Sequence, residues 1–110
     1  MEFLHQSQLP FVGMSHEFVG ADRGTSVSFF LVIAKPGDAT RIHKHDYDKI
    51  VYVISGRPKW IVGIEEREAA AGDVIVVRAG EPHKFISADD DPVRQIDIHL
   101  NRTFETAWLE

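Results

Sequence analysis

The chain has 110 residues, of which 44% are hydrophobic and 26% charged, a composition of one folded globular domain rather than of a disordered or fibrous chain. Seventeen acidic against twelve basic residues give a formal charge of −5, which disfavours nucleic acid and anionic membrane as partners. With no cysteine, disulfides, thiolate nucleophiles and cysteine metal sites are excluded.

No stretch approaches the roughly 18 apolar residues of a membrane span, and MEFLHQSQLP at the start lacks the basic opening and apolar run of a secretory signal. A cytoplasmic location is the expectation. Along the chain, short β-branched and aromatic runs alternate with glycine, proline and aspartate, the pattern of an all-β sandwich or barrel. Residues 1–24 carry no sustained periodicity and read as loop with an edge strand. Thr25–Ala34 is the first long strand, ended by a turn at Lys35–Asp38. Thr40–His45 and Ile50–Ser55 follow, and Gly56–Pro58 breaks the chain. Lys59–Ile64 and Glu68–Ala70 flank Glu65, Glu66 and Arg67, which read as a hairpin end. Gly72 and Asp73 lead into Val74–Arg78, Ala79–Pro82 into His83–Ser87, and the triple aspartate Asp89–Asp91 with Pro92 into a last strand, Val93–Leu100. Seven or eight strands at roughly 10-residue spacing result. In the tail, residues 101–110, the stretch Thr103–Leu109 is the one candidate helix, with Thr103 as its cap and Phe104, Trp108 and Leu109 on one side. The expected organisation is a single domain over 1–110, its barrel over 25–100.

Histidine placement is the most informative feature. His43 and His45 lie two apart, so in an extended strand both side chains leave the same face. His83 opens a later strand. Three imidazoles from two strands can converge inside a small barrel, and such a donor set suits iron, copper, nickel, manganese or zinc while leaving coordination positions open. His99 shares parity with Asp97 and not with Ile96, Ile98 and Leu100. Facing inward, it would be a fourth ligand or a proton-transfer group oriented by Asp97; facing outward, both would be solvated. His5 and His16 fit no pattern and read as surface residues.

Two stretches carry a family resemblance. Gly37–Gly56 (GDATRIHKHDYDKIVYVISG) resembles the first motif of the cupin superfamily, and Gly72–His83 (GDVIVVRAGEPH) resembles the second. The resemblance implies an all-β, double-stranded β-helix or jelly-roll barrel, with a divalent metal held by His43, His45 and His83. It implies glycine at the tight reversals 37, 56, 72 and 80, where positive φ is costly for other residues. Arg78 stands where the family usually has proline. Lys49 stands where the family pattern puts a carboxylate ligand, with Asp48 one residue before it. An ammonium donates no lone pair and repels a nearby divalent ion. Three resolutions follow: Lys49 is neutral or turned away and three histidines hold the metal alone, or the strand slips so that Asp48 reaches in, or no metal binds. Lys49 can also serve as an anion-binding or Schiff-base group.

Tyr47, Tyr52, Trp60 and Phe85 are candidates to line a ligand cavity or to fill the core. With Lys49 and His99, Tyr47 completes the candidate catalytic set. Outer aliphatic positions on Phe29–Ile33 and Ile50–Ile54 are candidates for a homodimer face by sheet stacking, as the resemblance implies. The expected function is a metal-binding protein that acts on or binds a small organic molecule in the barrel. By resemblance this is dioxygenase-like oxidation or cleavage, or isomerisation of a sugar or keto acid. The alternative is a metal-free small-molecule binding or sensing module in which Lys49 replaces the carboxylate ligand.

Overall fold

A computed structural model describes residues 1–110. Eleven strands follow in chain order: β1 (Phe11–Val12), β2 (Ser15–Phe18), β3 (Ser28–Ala34), β4 (His43–Lys44), β5 (Lys49–Ser55), β6 (Lys59–Val62), β7 (Glu65–Glu68), β8 (Val74–Val77), β9 (His83–Ile86), β10 (Val93–His99) and β11 (Ala107–Trp108). They form two antiparallel sheets, ordered β1-β2-β3-β10-β5-β8 and β11-β4-β9-β6-β7. Strands β3 to β10 are the eight of a jelly-roll barrel, a double-stranded β-helix. No helix is long and apolar enough to cross a membrane.

The strands face as their alternation predicts. On β5 the buried residues are Lys49, Val51 and Val53, and on β10 they are Val93, Gln95, Asp97 and His99. Those inward faces change character along the barrel axis. At one end Val32, Ala34, Val51, Val53, Val93 and Phe85 form the apolar core, which Val77, Trp60 and Ala69 complete. At the other end Ser28, His43, His45, Lys49, His83, Asp97 and His99 are all buried. Fully burying a large apolar side chain contributes roughly 1.5–3 kcal/mol, so the apolar end supports the fold while the polar end draws stability away from it.

Gly37, Gly56, Gly72 and Gly80 have φ of 91°, 83°, 91° and 82°. Gly56 is doubly constrained, because a Cβ there would lie 2.5 Å from the Pro92 carbonyl oxygen and 2.9 Å from Val93 Cα. That close approach lets β10 run directly past the end of β5.

Two expectations are corrected. The tail is not helical: Ala107 and Trp108 pair with Lys44 and His43, and Leu109 N–H donates to the Ile42 carbonyl at 3.0 Å. A seven-residue helix is marginal in isolation, whereas the extended tail gains ladder bonds and apolar neighbours on the barrel. The second correction concerns the hairpin end, which falls at Gly63 and Ile64, so that Glu65–Glu68 is itself strand β7. Gly63 supplies the positive φ of 59° that the tighter turn requires. The N-terminal edge is a hairpin, β1 with β2, that extends the larger sheet beyond β3.

Candidate metal centre

His43 opens β4 and pairs directly with His83, which opens β9. His45 leaves the same face as His43 just past the end of β4. One nitrogen from each of the three rings lies within 4.8 Å of the other two, and all three residues are at most 7% exposed. The His-x-His spacing thus delivers two rings to one face, and cross-strand register brings the third.

Hydrogen bonds fix which nitrogen each ring presents. His43 Nδ1 lies 2.7 Å from the Arg41 carbonyl, His45 Nδ1 2.8 Å from the Glu105 carbonyl, and His83 Nδ1 3.0 Å from the Glu81 carbonyl. A carbonyl only accepts, so each Nδ1 carries the proton and each neutral ring keeps its lone pair on Nε2. His45 Nε2 and His83 Nε2 are buried and have no hydrogen-bond partner. Buried polar atoms are seldom left so. Backbone-oriented imidazoles with free, converging Nε2 atoms fit a divalent ion, so the donor set matches the group the fold implies.

Electrostatics keep these rings neutral. Burial pushes His45 down to about 4 and His83 to about 3, with the Lys49 charge adding to both. Burial likewise lowers His43. A neutral imidazole is the form that ligates.

Lys49 faces inward. Its Nζ lies 3.0 Å from Asp97 Oδ2, with both side chains at most 4% exposed, and Asp97 Oδ1 accepts from Gln95 Nε2 at 2.9 Å. The ammonium also sits 5.3 Å from the centre of the Trp60 ring. Lys49 is therefore not turned away, and a carboxylate stands against its nitrogen. The strand does not slip. Lys49 opposes His99 and Val77 in register, and Asp48 points away, its Oδ1 accepting from Ala79 N–H at 2.9 Å. Asp48 as a metal ligand is excluded on that geometry.

His99 is fully buried and faces the barrel interior, yet it lies outside the three-histidine group. Its orienting partner is Tyr47, not Asp97, which is taken by Lys49. The Tyr47 hydroxyl lies 2.8 Å from His99 Nδ1 and accepts from Glu105 N–H at 3.2 Å. Where that hydroxyl donates to Nδ1, neutral His99 carries its own proton on Nε2. That nitrogen is buried without a partner. In that tautomer His99 offers a donor where the other three offer lone pairs. Burial, reinforced by Lys49, pushes it down to about 2.

Sequence reasoning missed the tail's part in the site. The Glu105 carbonyl and amide serve His45 and Tyr47, Phe104 stacks on Phe30 with centroids 4.0 Å apart and meets His99 edge-on, and Trp108 lies 5.2 Å from His43. The apolar Phe104 and Trp108 were the available signal. Of the other aromatics, Trp60 and Phe85 are buried core and Tyr52 is exposed on the outer face. His5 is exposed and His16 half-buried on the outer edge.

The geometry is that of a β-helix barrel with three inward, backbone-oriented histidines, and comparison with known proteins agrees on the fold. The family description "Cupin domain" matches residues 30–99. The uncharacterized protein SCO3923 of Streptomyces coelicolor is 34% identical over 70 residues, 64% of this chain and 65% of that protein. Among solved structures, oxalate decarboxylase of Lactobacillus farciminis in a formate complex superposes with a TM-score of 0.82 at 19% identity, covering 96% of this chain and 35% of that one. Oxalate decarboxylase of Bacillus subtilis, in a study of its Mn(II) centres, superposes with a TM-score of 0.80 at 21% identity, covering 94% and 30%. The chain belongs to the cupin family. It spans about a third of the length of these decarboxylases, and at such identity they share its fold.

Proposed function

We propose that this cupin holds a divalent metal through the Nε2 atoms of His43, His45 and His83 and uses it on a small organic molecule in the barrel. The observation that carries this reading is the pinning of all three Nδ1–H groups to backbone carbonyls, which turns the free nitrogens of His45 and His83 into a buried space with no other partner. Iron, copper, manganese, nickel and zinc all accept imidazole. Bound there, the metal supplies Lewis-acid or redox chemistry, and dioxygenase-like oxidation or cleavage of the molecule is the reaction we favour.

The surrounding residues have separate roles in this reading. His99 presents an N–H for hydrogen bonding or proton transfer, and Tyr47 holds its tautomer. Lys49, its charge balanced by Asp97, stands ready to orient an anionic group of the substrate. The tail closes the barrel beside His45 and His99 and limits water. Both decarboxylases named above take a small dicarboxylate, which is compatible with an anionic substrate here.

A second reading, a metal-free binding or sensing module, draws on the inward ammonium of Lys49, which adds positive charge beside the three rings. Elemental analysis of purified protein separates the two. Stoichiometric metal that is lost in His83→Ala supports the metal enzyme. A metal-free wild type that gains metal only as Lys49→Glu supports the binding module and overturns the first reading.

A homodimer through the outer face of the larger sheet belongs to the same proposal. There Leu31, Ile96, Tyr52 and Val74 form one cross-strand row, and Phe29, Ile98, Ile50 and Val76 another. Tyr52, Val74 and Val76 are 44–59% exposed. An apolar sheet face of this kind marks a contact, and a second copy supplies its match. Sedimentation of the double variant Tyr52→Asp, Val74→Lys is expected to give monomer where wild type gives dimer.

A further inference from the structure

A cavity lies apart from the histidines. Strand β7 pairs only with β6, and β8 only with β5, so the two sheets end side by side in unpaired edges. Between them is a cleft of about 530 Å³, within the range of small-molecule sites. Its apolar lining includes Trp60, Val62, Ala69 and Ile75, two of them core residues and two packed against the core. Trp60 is 3% exposed, and its indole Nε1–H is buried without a partner. That ring separates the cleft from the histidines: it lies 6.3 Å from the His83 ring, nearly parallel to it.

Charge around the cleft is one-sided. Glu65 and Arg67 oppose Val62 and Trp60 in register, so they share the inner face. Glu65, Asp73 and Glu81 line the opening against the single base Arg67. Asp73 and Glu81 each commit one oxygen to a turn, with Ala70 N–H at 2.8 Å and Arg78 N–H at 2.7 Å. Glu65 has no partner. The remaining acid, Glu68, pairs with Arg57 at 3.7 Å.

We propose that the cleft between β7 and β8 binds a small, flat apolar molecule that carries a positive charge, independently of the metal centre. The apolar body lies against Trp60, Val62, Ala69 and Ile75. The cation faces Glu65 and the acidic opening.

Three phenols of similar shape test this by charge: tyramine (cation), 4-ethylphenol (neutral) and 3-(4-hydroxyphenyl)propanoate (anion). Each is titrated into isotope-labelled protein, once metal-loaded and once chelator-treated, while amide and indole resonances are followed. Tyramine is expected to shift Gly63, Ala69, Ile75 and the Trp60 indole N–H, and to bind about threefold tighter than 4-ethylphenol, the worth of one exposed charge contact. The anion is expected to bind weakest. Glu65→Gln should remove the tyramine advantage and leave 4-ethylphenol unchanged. Silent cleft resonances, shifts confined to the histidine strands, or an anion that binds as well as tyramine would each overturn the proposal. Because cleft binding is expected with and without metal, a failure to load metal leaves this result standing.

Discussion

Lys49 and Asp97 form an ion pair of 3.0 Å in the polar end of the barrel, with side chains 4% and 3% exposed. Asp97 therefore holds in place a cation that would otherwise confront a divalent ion unopposed. Breaking such a buried pair from one side strands a charge and typically costs about 3–5 kcal/mol. Asp97→Asn should lose stability of that order in chemical denaturation, whereas Lys49→Met combined with Asp97→Asn should recover most of it. A double variant as unstable as the single one would show that the pair is not what Asp97 contributes.

Lys49→Glu should shift the site towards metal. Without metal, the new carboxylate faces Asp97, and the melting temperature should fall below wild type. With manganese or zinc the order should reverse, and affinity should rise about tenfold or more, the scale on which neighbouring groups tune metal sites. Calorimetric titration and melting curves with and without metal read both arms; unchanged affinity would mean that residue 49 does not face the ion.

The histidines set a pH dependence whose sign is fixed. His45, His83 and His99 stand at about 4, 3 and 2 in the folded protein, below the ordinary value near 6.5. Between these limits the unfolded chain binds more protons than the folded one, so stability rises with pH. The contribution is complete above about pH 6.5 and is lost as pH falls towards 4, at roughly 1.4 kcal/mol per pH unit for each histidine. Denaturation of chelator-treated protein from pH 7.5 to 4.5 should show this slope, and His99→Gln should lower it. A flat profile would mean that the rings are not buried neutral.

The Glu105 carbonyl holds the His45 tautomer at 2.8 Å. Removing residues 103–110 should therefore weaken metal binding about 10- to 100-fold while the barrel still folds, as circular dichroism would check. Glu105→Pro, which deletes the N–H that serves Tyr47 and keeps the carbonyl, should leave metal affinity nearly intact. Equal losses in both would place the effect in the tail's packing rather than in that carbonyl.

Gly56→Ala should destabilise the protein by more than the roughly 1 kcal/mol of a left-handed backbone alone, because its Cβ would also meet Pro92 and Val93. Gly37→Ala, where a Cβ meets nothing within 4 Å, should show the backbone cost by itself. Matching losses at the two positions would discount the close approach.

Much of this was legible in the residues. Alternation along Ile50–Ser55 and Val93–Leu100 and the glycine punctuation specified strands and their faces, and the two-residue spacing of His43 and His45 specified that both rings share a side. These features are local: pleat and positive φ act within a few residues. What became of Lys49 was not legible, because its partner is 48 positions away and is chosen by how β10 lies against β5. The exchange of Asp97 for Tyr47 beside His99 has the same origin. The tail shows this most plainly: its residues alone permit a helix, but Phe104 finds Phe30 and Trp108 finds His43 only once the barrel exists. The sequence by itself determined which side chains point inward, since that follows from backbone geometry; the tertiary structure decided which of them meet, since register across distant strands sets every partner.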